Sequence, residues 1–215
     1  MDWHELADLP FAPQLRPAGG DLAHDAVYDG LHFDQLTFAE PQAVNARFIE
    51  CALTGVTVQG GRLDRARLSD VWLSDARLVT TSLAGTDWVD ATISASLAAG
   101  VEAYGAQLRR VVLRGCKLDS VNFREAVLTD VRFEDCELLD CDFAGAQLTR
   151  TAFPGSRLAR TDFSRARLDQ ADLRGAELGI IIDSGCLRGA VVSSAQLVSL
   201  APLLAHAMGM TVKDD

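Results

Sequence analysis

The strongest constraint on this chain is a period of five. Stepping by five from Phe33 to Leu178 meets 30 positions, of which 27 are Leu, Phe, Ile, Val or Trp; the other three are Ala43, Ala98 and Ala103. A second register lies two residues earlier, from Leu31 to Ala176. It holds Ala, Cys, Val, Thr, Ser or Gly at 27 of 30 positions, the exceptions being Leu31, Leu36 and Pro41. None of these 60 positions is charged, although a 23% charged chain would place about 14 charges there by chance.

Five is a multiple of neither 3.6 nor 2.0, which excludes an amphipathic helix and a simple alternating strand. Two side chains point inward and three outward in every unit, so the chain must turn a corner at each one. The small residue fits the corner and the large one fills the interior. This is a solenoid, in which a turn buries its apolar row only by stacking on its neighbours. The 215 residues, 48% apolar, suffice for a substantial core.

The units resemble the pentapeptide-repeat family, whose motif is Ala-(Asp/Asn)-Leu-x-x. Ala171-Asp172-Leu173-Arg174-Gly175 matches it fully, and Thr161-Asp162-Phe163-Ser164-Arg165 and Cys141-Asp142-Phe143-Ala144-Gly145 come close. The resemblance implies an all-β fold, a right-handed quadrilateral β-helix with four units per turn. Residues twenty apart then stack: Phe33, Leu53, Leu73, Ile93, Leu113, Phe133, Phe153 and Leu173 on one face, Phe48, Leu68, Trp88, Leu108, Leu128, Leu148 and Leu168 on another. About eight turns at a strand spacing of ~4.8 Å give a rod of roughly 40 Å. After Leu178 the register shortens by one residue and resumes at Ile182, Leu187, Val192 and Leu197, which predicts an altered corner.

The chain divides into a cap or arm over residues 1–25, the β-helix over 26–197, and a C-terminal helix with a short strand over 198–215. A β-helix has an open edge at each end that must be covered. Trp3, Leu6, Leu9 and Phe11 are available to plug the first turn. At the other end Leu197, Leu200, Leu204 and Met208 recur at helical steps, with Gly209 as a stop. Pro202 leaves two readings, a helix that begins at Ser194 and kinks or one that begins at Ser199. Met210-Thr211-Val212-Lys213 alternates like a strand. The apolar helix, with Leu200, Leu203, Leu204 and Met208, is expected either to pair two copies as a homodimer or to act as a lid; the resemblance favours the dimer.

Candidate chemistry is sparse. Cys51, Cys116, Cys136 and Cys141 occupy the small inward register, where cysteine is a compact filler. Cys116 and Cys136 should stack, but a reducing cytosol disfavours a disulfide. Cys186 falls in an outward register and is the candidate reactive thiol. The four histidines lack metal-ligand spacing, and Gly19-Gly20 and Gly60-Gly61 lack a phosphate-loop context. The reading is therefore of a non-enzymatic protein without cofactor or metal. No apolar run reaches the ~18 residues of a membrane span, and the N-terminus lacks a signal peptide, so a soluble, cytoplasmic protein is expected.

The net charge is −10. Residues 1–32 carry six acids against Arg16, a net of −5. Residues 33–197 carry 22 acids and 18 bases, a net of −4, and the remainder −1. Acids concentrate at Asp119, Glu125, Asp130, Glu134, Asp135, Glu137, Asp140 and Asp142, the candidate partner-binding surface. One outward column, Asp70, Asp90, Arg110, Asp130 and Arg150, alternates like a ladder. An acidic protein is a poor direct binder of nucleic acid. In layout the chain resembles the MfpA-like and Qnr-like members, acidic rods that mimic DNA and bind DNA gyrase, a type II topoisomerase, in antibiotic resistance. That resemblance implies a gyrase partner; the mixed-sign surface instead implies a scaffold or protein-binding module of another target.

Overall fold

The computed structural model describes residues 4–213. The chain winds as a parallel β-solenoid of about eight turns followed by one α-helix, Ser194–Ala207. Twenty residues make a turn: Phe48 lies beside Leu68, Leu68 beside Trp88, and the column continues through Leu108, Leu128, Leu148 and Leu168. Each of the four faces is named by its first large inward residue. Strands of the Phe33 and Phe48 faces join in one 13-stranded sheet, because Asp87–Ser94 and Gln107–Arg114 run through the corner between them. The Phe38 face is an eight-stranded sheet, and the Ala43 face pairs through isolated bridges such as Gln42 to Arg62 and Asn122 to Asp142.

The corners explain the period. Every fifth residue from Gly20 to Gly175 has a positive φ, 21 non-glycine residues at 47–60° and 11 glycines. The left-handed region costs a side-chain-bearing residue roughly 1–2 kcal/mol. The stack offsets that cost with a hydrogen bond to the next turn, for the corner N–H donates there. Asn45 donates to the Asp64 carbonyl at 2.9 Å, Asp70 to Val89 at 3.0 Å and Asp130 to Thr149 at 3.0 Å. On the Ala43 face the corner is also a closed β-turn, with the Ala46 N–H donating to Ala43 at 3.2 Å. At Gly61 (φ +74°) a Cβ would lie 2.4 Å from the backbone nitrogen of Pro41, so the proline in the small register of one turn requires glycine in the next.

The interior holds both registers in one continuous core. Its C-terminal half is a pile of phenylalanines: Phe133 stacks on Phe153 at 4.9 Å, Phe123 on Phe143 at 4.8 Å, and Phe143 on Phe163 at 5.2 Å. Such pairs contribute about 0.5–1.5 kcal/mol beyond area burial. The middle is looser. Ala98 and Ala103, successive large-register positions, leave a cavity of about 70 Å³ lined by Leu83, Trp88, Val101, Leu118 and Phe123 among others. All five cysteines are free thiols and all are buried. Those of the small register point at carbonyls, Cys51 at Ile49 (3.3 Å) and Cys136 at Glu134 (3.3 Å), and burial pushes the Cys141 thiol up to about 12.

The register shortens where the sequence indicates. Thr161 pairs with Ile180 after a bulge at Ala159/Thr161, and Asp172 pairs with Val191, each 19 residues apart. Cys186 departs from the outward position read for it. The Asp183 carboxylate accepts from the N–H groups of Gly185 and Cys186 at 3.2 Å, and in this tight turn the thiol is buried at 2% exposure. Burial raises its pKa, which is the opposite of what a reactive thiol needs.

Both ends differ in part from expectation. The first turn is closed by Arg16–Pro17, paired with Leu31 and His32, and by Leu22 and Tyr28, whose ring stacks on Phe48 at 4.8 Å. Leu6, Leu9 and Phe11 instead lie on the outside of the Phe33 face; Trp3 is outside the described residues. The helix begins at Ser194 and contains Pro202. A capping box starts it, with Ser193 Oγ accepting from the Gln196 N–H (3.2 Å) and Gln196 Oε1 from the Ser193 N–H (2.9 Å). Residues 210–213 form no strand, since no neighbouring strand meets them.

Candidate functional site

The acidic run 119–142 spans barely more than one turn, so consecutive residues are carried around the rod rather than along it. Asp119 and Glu137 lie on the Phe38 face and Asp142 on the Ala43 face, with Asp140 at the corner between them. Glu125 and Asp130 occupy the two corners flanking the Phe48 face; Glu134 lies on the Phe33 face, and Asp135 at the corner after it. The run is a belt around all four faces. A stripe along one face would need acids twenty residues apart.

Twenty residues away, the neighbour is frequently arginine. Arg150 grips Asp130 through Nε and Nη2 at 2.6 and 2.7 Å, and Arg160 grips Asp140 at 2.6 Å through each of the same two atoms. Glu134 is held by Arg132 at 2.7 Å and Arg114 at 3.0 Å, Glu137 by Arg157 at 3.3 Å, and Asp142 by Arg124 at 3.6 Å. Among the described residues, Asp119, Glu125 and Asp135 have no ion-pair partner. The alternating column reads as the sequence suggested, with Arg110 gripping Asp90 by two 2.6 Å bonds. Asp70 is left over in that column. Burial, then the neighbouring Asp90 and Glu50 carboxylates, raise its pKa.

These pairs set how the surface responds to acid. Hydrogen bonds from Arg110, Arg150 and Arg160 hold Asp90, Asp130 and Asp140 below the usual carboxylate range. A carboxylate depressed in the folded state contributes stability that is complete above its unfolded pKa and disappears as pH falls through its folded one. The ladders therefore loosen below about pH 4.

Away from the belt, two apolar regions lie on the outside. At the C-terminal end Leu200 is buried and Leu203 and Leu204 are half-buried against the last turn, while Met208 is 69% exposed. The residues marked out by sequence thus divide between a lid and an open surface. Gln196 Nε2 donates to the carbonyls of Leu173 (2.6 Å) and Ala176 (2.8 Å), satisfying acceptors at the exposed edge. Leu197, Val198, Met210 and Val212 join Met208 on the open side, between 52% and 75% exposed. The second region is on the Phe33 face, where Leu9 and Phe11 cover Ala52 and Trp72. Sequence reasoning missed it, yet Trp72 stands in an outward register, where a tryptophan signals a covered surface. No group of three or more His, Cys, Asp or Glu placed to hold a metal occurs among the described residues, and none of their helices is long and apolar enough to cross a membrane.

The fold is thus that of a five-residue-repeat β-solenoid with charged ladders outside. Residues 93–163 match the model of the pentapeptide repeat region, and the same winding continues on both sides of them. No curated protein matches the chain. Among solved structures it is similar to HetL, a pentapeptide repeat protein involved in heterocyst differentiation regulation from the cyanobacterium Nostoc, at 19% identity over 79% of this chain and 90% of that one, with a TM-score of 0.47. It is also similar to trypsin-treated QnrB1, a plasmid-mediated fluoroquinolone resistance protein, at 15% identity over 87% and 100% of the two chains, with a TM-score of 0.40.

Asp130→Asn is expected to lower stability at pH 7 by about 0.5 kcal/mol, the scale of an exposed pair. The difference from wild type should shrink as the pH falls below the usual carboxylate range and Asp130 itself becomes protonated. Urea unfolding at a series of pH values from 7 down into acid measures both; a difference that stays constant across the whole series would contradict the charge assignment.

Proposed function

We propose that the protein is a non-enzymatic binding rod that works as a homodimer joined at its C-terminal ends. The observation that carries this reading is the exposure of five large apolar side chains, Leu197 and Val198 on the capping helix and Met208, Met210 and Val212 just after it. Large apolar side chains exposed together at one end of a domain mark an association surface. A second copy offers the same patch, and a two-fold axis lets each helix meet its equivalent. Leu200, Leu203 and Leu204 serve the lid beneath, and Met208 the interface. The solenoid supplies a stiff support, and its outer faces are available to a protein target. On this reading the molecule is a cytoplasmic scaffold or interaction module.

Light scattering on the purified protein should give twice the 23.1 kDa chain mass. The double substitution Val198→Asp, Met208→Asp should give the monomer mass with the β-sheet circular dichroism retained, and a wild-type monomer at 100 micromolar would sink the dimer.

A topoisomerase target is the second reading, favoured by the net charge of −10, doubled in a dimer, and by the resemblance of the repeat to DNA-mimic members of the family. The interleaved arginines weigh against a continuous negative stripe, so Asp119, Glu125 and Asp135 are the acids left to engage a basic groove. Titrated into a DNA gyrase supercoiling assay with and without a quinolone, a DNA mimic changes supercoiling or drug-induced cleavage. Asp119→Asn, Glu125→Gln, Asp135→Asn together should weaken that effect several-fold. No effect at tens of micromolar would leave the rod with a different protein target.

A further inference from the structure

Outward positions on this rod are mostly polar, but on the Phe33 face one outward column runs His32, Ala52, Trp72, Thr92 and Val112 before reaching Arg132. Ala52, Trp72 and Thr92 are all buried, at 0%, 4% and 2% exposure. Residues 4–15 cover Ala52 and Trp72. Leu9 and Phe11, at 2% and 4% exposure, seat on Ala52 and Trp72, with Leu6, Ala12 and Leu15 packed around them. This cluster is separate from the solenoid's core.

The arm is held differently from everything else in the molecule. Its backbone is bonded to itself, Asp8 to Glu5, Leu9 to Leu6, Ala12 to Leu9, Gln14 to Phe11 and Leu15 to Ala12. Backbone pairing with the rod begins at Arg16, whose N–H donates to Gly30 at 2.9 Å, and continues with Ala18 donating to His32 at 2.8 Å. Across the face itself the apolar side chains of Leu9 and Phe11 seat the arm, and at its far end His4 Nδ1 lies 3.0 Å from Arg114 Nη1. Under the arm the indole N–H of Trp72 is buried and meets no acceptor among the described residues. A buried donor without a partner is rare in folded proteins and favours any occupant that brings an acceptor.

We infer that the Phe33 face around Trp72 is a docking site for a short segment of a partner protein, and that residues 4–15 occupy it as a displaceable strap. The occupant is a segment with two bulky apolar side chains two residues apart, as Leu9 and Phe11 are, and a backbone carbonyl within reach of the Trp72 N–H. The arm shows the apolar chemistry the face accepts. The unpaired indole shows what a better ligand adds. A strap of this kind lowers the apparent affinity of any competitor by the fraction of time it is seated. The inference rests on the reading of the rod as a protein-binding module and gives that module a site.

The test uses the full chain with Leu9→Asp and Phe11→Asp, which releases the arm, and a synthetic peptide with the sequence of residues 4–15 as the probe. Calorimetry should show the peptide binding the released-arm protein, at least tenfold more weakly to wild type, and not at all once Trp72→Ala is added. No binding to a released-arm protein that keeps its β-sheet circular dichroism would overturn the proposal, as would equal binding to wild type and variant. If the double variant does not fold, Phe11→Ala takes its place; unfolding of that variant too makes the arm part of the fold rather than a strap. Loss of the dimer on arm release, with the Val198→Asp, Met208→Asp protein still dimeric, would hand the face to a second copy and also overturn it. Failure to bind peptide leaves the light-scattering result at the C-terminal end unchanged, so the two readings fail separately.

Discussion

The structure depends on a left-handed corner repeated every five residues. No single corner is favourable for a residue with a side chain. Each is stabilised because its N–H reaches a carbonyl one turn ahead and because the large residue beside it enters a shared core. Cooperation of this kind is one-dimensional, with every turn supported by its two neighbours. The ends therefore need separate solutions. At the N-terminal end Arg16–Pro17, Leu22 and Tyr28 close the first turn. At the C-terminal end Leu200 fills the core's mouth and Gln196 supplies donors to two edge carbonyls.

The same geometry governs the charge. A position on the outside of the rod has its neighbours twenty residues away, so an acid frequently pairs with an arginine one turn away in the chain. Asp90 with Arg110, Asp130 with Arg150 and Asp140 with Arg160 are pairs of this type. A cluster of acids within one turn of sequence is spread around the circumference, and several of its members are neutralised lengthwise. The net charge of −10 is therefore a poor guide to the potential of any one face.

Much of this is legible in the sequence, because a solenoid turns long-range contacts into a fixed spacing. Both inward registers and the shortened turn after Leu178 come from counting, while the twenty-residue columns, and with them the Asp130–Arg150 rung, follow from the four units per turn that the family resemblance implies. The helix is legible from its three- and four-residue steps. Those steps leave its start open, and the Ser193/Gln196 capping box decides for Ser194. Counting fails where the chain leaves the period. Cys186 is turned inward by a local Asp183 turn that breaks the register. Residues 210–213 alternate like a strand but have no strand to pair with. The seat of Leu9 and Phe11 depends on Ala52 and Trp72, distant in sequence, and no period connects them.

The central claim is that an uninterrupted hydrogen-bonded stack carries two attachments of different standing, a capping helix bonded into the last turn and an arm seated mainly by side chains. Hydrogen–deuterium exchange resolved along the full chain tests it most directly. The account predicts strong protection for strand amides from about residue 31 to residue 181, including Gln107–Arg114 in the middle, with exchange over residues 4–15 faster by orders of magnitude. Protection of the arm equal to that of the turns, or a fast-exchanging break within the stack, would contradict it.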